Sequence, residues 1–183
     1  MKKIFLFAAL LISALTFGQE LKKPSEGKAL IYFTRTGFIG GAINFKYFDG
    51  EKYLGKFNSG NYLAYECEPG KHLFWAKSEN FDFLEANVEA GKVYIVQSLV
   101  KVGGMKAGVD LVPLAKSDED YQKNREKLFK LINNPDKEYK LEAGKELDAT
   151  ELKEINNKSV EKYNEKKQEA GQVLTLSADM NIE

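Results

Sequence analysis

The chain has 183 residues, 27 Lys and Arg against 27 Asp and Glu, a single His and a single Cys. Balanced charge offers no electrostatic footprint for nucleic acid, and one cysteine rules out an intramolecular disulfide. One imidazole and one thiol supply too few soft ligands for a metal centre, so neither a metal nor any other cofactor is expected.

At the N-terminus, Lys2 and Lys3 precede the apolar run from Ile4 to Ile12, and Thr16-Phe17-Gly18 offers small residues, Thr16 and Gly18, at both subsites a signal peptidase reads. Residues 1–18 are therefore expected to be a signal peptide cleaved before Gln19. The run is too short for a resident membrane helix, so the mature chain is expected in the periplasm or outside the cell, with no transmembrane segment. Cleavage removes two lysines and leaves a net charge of about −2. Roughly 165 residues remain, a leader at 19–27 included, enough for one domain with a real core.

From 28 to 114 the chain repeats short segments rich in Val, Ile, Phe and Tyr, bounded by Gly, Asn, Asp or Pro. Ala29-Ile31-Phe33 alternate with Leu30-Tyr32-Thr34, and Ile43-Phe45-Tyr47 with Asn44-Lys46, as expected of strands with one dry and one wetter face. Asp49-Gly50 predicts a tight hairpin turn into a strand at 52–57, and Asn58-Ser59-Gly60-Asn61 the next reversal. Tyr62 to Cys67 reads as a strand in which Cys67 acts as a small buried hydrophobe. Glu68-Pro69-Gly70-Lys71 suits a type II turn into a strand at 72–77. Further strands are predicted at 83–88, 93–100 and 106–112, with Glu89-Ala90-Gly91-Lys92 as another turn. Seven or eight antiparallel strands of this length are expected to form a β-sandwich.

After Leu114 aromatics thin and Lys and Glu rise, the pattern of solvated helices. Ser117 before Asp118-Glu119-Asp120 predicts an N-cap, and Tyr121, Leu128, Phe129 and Ile132 form one apolar stripe that ends at Asn133-Asn134-Pro135. A second helix is predicted from Asp148, with Glu151 at capping-box spacing, to Ala170; Leu152, Ile155, Ser159 and Tyr163 lie along one side. Val173 to Leu176 reads as a last strand and residues 178–183 as a fraying tail. The expected architecture is mainly β: an antiparallel sandwich at 28–114 and a helical extension at 115–183 with two amphipathic helices, either docked on the sandwich or forming a separate mobile hairpin.

Tyr32-Phe33-Thr34-Arg35, Asp49-Gly50 followed by Leu54-Gly55-Lys56, Gly60-Asn61-Tyr62, Glu68-Pro69-Gly70-Lys71-His72 and Ala90-Gly91-Lys92-Val93-Tyr94 occur in this order. In these motifs the segment from 28 to about 113 resembles a family of exported bacterial proteins catalogued as a domain of unknown function and related to PEGA-type β-sandwich modules of cell envelopes. The resemblance implies a non-enzymatic sandwich in the envelope or outside the cell, and carries over no catalytic residue.

Five residues stand out as candidates. His72 is the sole imidazole, a base if a carboxylate and a nucleophile gather beside it and a structural hydrogen-bonding group otherwise. Arg35, between two threonines, either grips an anionic ligand or bridges a carboxylate or loop carbonyls. Phe38 and Ile39 stand among three glycines, either as a plug over the sandwich end or as a contact for a partner. Trp75 belongs to an aromatic surplus: Tyr47 and Phe48, Phe74 and Trp75, and Tyr94 beside Val96 are read as pairs facing opposite ways. Helices burying the surplus compete with an open platform for sugars. The reading is an exported, non-catalytic module that binds a macromolecule, with an envelope protein or a glycan as partner. The alternatives are a carbohydrate or peptidoglycan-fragment binder using Trp75, a hydrolase centred on His72, and a structural protein whose helices pair between copies.

Overall fold

Strand ends follow the turn chemistry. Gly50, at φ 53°, closes the Asp49-Gly50 hairpin because only a residue without a Cβ takes that conformation cheaply. The computed structural model describes residues 21–37, 41–103, 106–169 and 173–182. Its strands are β1 (Ala29–Arg35), β2 (Phe45–Asp49), β3 (Lys52–Phe57), β4 (Asn61–Cys67), β5 (Gly70–Lys77), β6 (Phe81–Val88), β7 (Val93–Gly103), β8 (Lys106–Pro113) and β9 (Leu174–Leu176), with helices α1 (Tyr121–Ile132) and α2 (Ala149–Gln168). One sheet has the order β4-β1-β7-β8 and the other β3-β2-β5-β6-β9. The chain is mainly β, two packed sheets with two helices in the C-terminal region between β8 and β9. Among the described residues no helix is long and apolar enough to cross a membrane.

The two-residue period of a strand sends neighbours to different layers. Ile31, Phe33, Tyr47, Phe74 and Tyr94 fill the core between the sheets. Their neighbours Leu30, Tyr32 and Ile95 lie on the outer face of the first sheet, under Leu128, Phe129 and Ile132 of α1. Phe48, Trp75 and Phe83 lie on the outer face of the second sheet, under Ile155 of α2. Each outer ring gains about 1.5–3 kcal/mol by leaving water, so both helices are integral lids. The pairs Tyr47/Phe48 and Phe74/Trp75 do point opposite ways. Tyr94 and Val96 do not: two residues apart, both face the inner core.

Four further details depart from the sequence reading. All seven residues of β1 are buried, without the wet face expected, because the strand is internal to its sheet and α1 covers the other side. The strands are not all antiparallel: β1 runs parallel to β7 and β6 parallel to β9. Alternation reports which face a residue occupies, not strand direction, and β9 reaches β6 only after both helices, a long crossover that permits parallel pairing. Ser117 does not cap α1: the N-cap is Asp120, without a side-chain hydrogen bond, and the Asp118 carboxylate instead accepts the Ala115 N–H at 3.0 Å. Through Ile182, the last described residue, the C-terminal tail is held and not frayed, since the Ile182 N–H donates to the Val93 carbonyl at 2.9 Å and its side chain joins the α1 cluster. Asp148 does cap α2, accepting the N–H groups of Thr150 and Glu151 at 2.9 Å.

Side chains close one flank of the sandwich. Asn80 accepts the Val109 N–H at 2.6 Å and donates to the Val109 carbonyl at 2.9 Å, so its amide does what a neighbouring strand would do for the edge strand β8. Gly108 makes room, since a Cβ there would stand 2.8 Å from Asn80 Oδ1. Asp82 accepts the Leu111 N–H at 2.6 Å and pairs with Lys166 of α2. Burial, the larger effect, raises the Asp82 carboxyl above its ordinary range against the pull of these two donors. Asp82→Ala is expected to cost about 1–3 kcal/mol in urea unfolding, because a buried N–H and an ammonium lose their acceptor. A carboxyl raised in the folded state favours folding below its unfolded pKa, and that contribution fades as pH rises through the folded value. The wild-type advantage over D82A should therefore shrink from pH 4 upward to a lower plateau, and a flat difference across mildly acid pH would refute the assignment.

Candidate functional site

The described candidates do not converge. Arg35 ends β1 at the Phe45 end of β2, where its guanidinium donates to the carbonyls of Ile43 and, at 3.5 Å, Phe57, and lies 3.7 Å from the Phe45 ring centroid. Burial lowers its affinity for the proton. This is the loop-carbonyl reading, and with 1 % exposure Arg35 is not placed to grip an anion from solvent. Trp75 is also 1 % exposed. Its ring stacks on Phe48 at 3.7 Å with 1° between planes, and Nε1 donates to the Gly50 carbonyl at 2.7 Å. A sugar-stacking platform at Trp75 is thereby overturned, because α2 and the neighbouring rings occupy its surroundings. Phe38 and Ile39 lie outside the described residues.

His72 does gather chemistry, at the other end of β2. Its Nδ1 meets both oxygens of Asp49 at 3.0 and 2.9 Å, while the Tyr65 hydroxyl donates to Asp49 Oδ2 at 3.0 Å. Burial first and the Asp49 charge second push the Tyr65 hydroxyl up. The His72 Nε2 sits 2.8 Å from the Glu68 carbonyl, an acceptor only, and the ring stacks on Phe74. The arrangement orients an imidazole on a carboxylate as a catalytic pair would, yet it places the far nitrogen on a backbone oxygen. Its evident effect is to tie the β4–β5 turn to the β2–β3 hairpin. Cys67 lies nearby, 5 % exposed, its thiol pushed up to about 12 by burial first and by Asp49 and Glu68 next.

A groove elsewhere was not foreseen from the sequence. The link between α1 and α2 runs along the β4 edge, where Tyr62 pairs with Glu138 and the Tyr139 N–H donates to the Tyr62 carbonyl at 2.6 Å. The Tyr139 ring crosses to β3 and lies over Gly55, whose φ of 141° and missing Cβ make the space; a Cβ there would be 2.2 Å from the ring. Phe57 stacks beneath it at 5.6 Å. Beside this strap opens a groove of about 580 Å³ lined by Tyr139, Asn44, Lys56, Asn58 and Asn61, with paired charges from the link. Gly55 in a strand interior was the available signal, since such a glycine marks close approach of another group.

Comparison with known proteins adds one relative. A curated Haemophilus influenzae (strain ATCC 51907 / DSM 11121 / KW20 / Rd) protein described as an uncharacterized protein is 27% identical over 118 residues, 63% of this chain and 68% of that protein. No family model matches the chain, and no solved structure matches it.

The thiol provides a check on this assignment of roles. A pKa near 12 in place of 9.0 leaves about a thousandfold fewer thiolates at neutral pH, on top of steric exclusion. Cys67 should resist a chromogenic disulfide reagent in the folded chain and react at once in denaturant; rapid reaction under native conditions would contradict its burial.

Proposed function

We propose that the chain is an exported module that works by binding a macromolecule of the cell envelope or the extracellular space, without catalysis. The observation that carries this reading is the commitment of its reactive side chains to the scaffold. The His72 nitrogens engage Asp49 and a carbonyl, Arg35 engages loop carbonyls, and Cys67 is buried. A general base needs a substrate proton or a water at its free nitrogen, and Nε2 faces Glu68 instead.

Export rests on the charged, apolar and small-residue succession of the first eighteen residues. The resemblance of the 28–113 motifs to exported sandwich modules of the envelope supports the same reading. What supports binding is the groove beside Tyr139, where an aromatic ring, amides and charges share one accessible surface.

Affinity-tagged protein expressed in its native cells should be recovered from the periplasm or medium with Gln19 as its first residue, read by mass spectrometry of the N-terminal peptide. Recovery from the cytoplasm with Met1 or Lys2 at the N-terminus would end the export proposal. Turnover of chromogenic ester, peptide or glycoside substrates that disappears in His72→Gln would end the non-catalytic one.

A further inference from the structure

We infer that the groove along the Tyr139 strap is a glycan-binding site selective for sugar chains that carry a carboxylate. The inference rests on the binding-module reading and names its ligand and surface. Its volume of about 580 Å³ falls within the roughly 300–1,000 Å³ typical of ligand clefts, enough for about two pyranose rings.

The platform is rigid before any ligand arrives. Tyr139 is held by its own main-chain bond to Tyr62, by the missing Cβ at Gly55 and by the Phe57 ring. A half-exposed ring so fixed offers a flat apolar surface with a polar tip, which suits the C–H face of a sugar. Amides stand around it. Asn44 is exposed, and Asn61 Nδ2 donates to Asn58 Oδ1 at 2.7 Å. That contact leaves the Asn61 carbonyl oxygen and the Asn58 amide nitrogen as an acceptor and a donor for hydroxyl or acetamido groups.

Charge decides between neutral and acidic sugars. Glu138 pairs with Lys140 at 3.5 Å and Glu142 with Lys145 at 3.0 Å, so the four charges of the link that line the groove cancel. On the facing strands, Lys46 is taken by Glu151 of α2, whereas its cross-strand neighbour Lys56 has no carboxylate partner among the described residues. Lys56 lines the groove and is exposed, leaving one surplus cation for one carboxylate of the ligand. A phosphate backbone would call for several surplus cations, which favours an acidic glycan over a nucleic acid.

The test uses the processed full-length protein and two probes, the disaccharide of N-acetylglucosamine and N-acetylmuramic acid, which bears a lactyl carboxylate, and neutral N,N′-diacetylchitobiose, which lacks one. Calorimetric titration should show the acidic disaccharide binding about tenfold more tightly than the neutral one, the contribution of one charge-assisted bond. Lys56→Gln should reduce the acidic sugar to the level of the neutral one without lowering the melting temperature. Tyr139→Leu should weaken both sugars, while Lys162→Gln, on an exposed stretch of α2, should change neither. No heat from either sugar at millimolar concentration, equal affinities for the two, or affinities untouched by K56Q would each overturn the inference. A blank titration alongside a partner crosslinked at another face would sink the glycan site and leave the binding-module reading standing, whereas cytoplasmic recovery would strike export alone.

Discussion

Large rings on both faces of both sheets are the constraint from which the rest of this architecture follows. A two-sheet sandwich buries only its inner faces, and here Phe48, Trp75 and Phe83 on one outer face, with Leu30, Tyr32 and Ile95 on the other, need cover as well. Each helix meets one face, and α2 adds polar ties through Lys46–Glu151, Lys166–Asp82 and Asn156 to the Glu51 carbonyl. These ties matter because α2 buries few of its own residues, Ile155 and Ser159 being the only fully covered ones in its stripe. A lid with so little apolar contact gains its orientation from hydrogen bonds that reach the sheet at separate points.

Closing the faces leaves the edges, and each is managed differently. β8 is matched by the Asn80 amide and the Asp82 carboxylate, β4 by the strap at Glu138 and Tyr139, and β9 is only three residues long. β3 carries Lys52 and Lys56 and a register shift against β2. Bulges, lysines, short strands and covering segments all discourage a further strand from adding to a sheet.

Periodicity and turn residues made much of this legible. Asp49-Gly50, the Asp148 cap and the Leu152-Ile155-Ser159-Tyr163 stripe acted locally, through φ freedom, N–H satisfaction and helical spacing, so a few residues sufficed to read them. The parallel pairing of β1 with β7 depends on contacts more than sixty residues apart and leaves no mark in alternation. The Asn80 and Asp82 clip also depends on distant partners, twenty-nine residues along the chain on β8, and both residues precede the strand predicted at 83–88. Trp75 could be weighed only as surplus, because which side of a sheet a distant helix will cover is a tertiary fact. The groove was hidden most deeply of all: its ring comes from a link between helices, its floor from β3 and its amides from two separate turns.

Closed edges also narrow how the chain would engage a partner in the binding role proposed for it. Strand addition relies on a row of free main-chain donors and acceptors, and that row is interrupted at β4 by the strap on the Tyr62 carbonyl and at β8 by the side chains that hold Val109 and the Leu111 N–H. The proposed recognition is then left to side chains on a surface whose shape is set in advance. The Tyr139 strap meets that requirement with one device serving two ends. The main-chain bond that shields β4 from another strand also fixes the aromatic ring beside the groove, and the glycine that admits the ring keeps it against β3. A ring ordered during folding loses no further freedom when a ligand arrives, so contacts at this place convert to affinity more fully than the same residues on a mobile loop would allow.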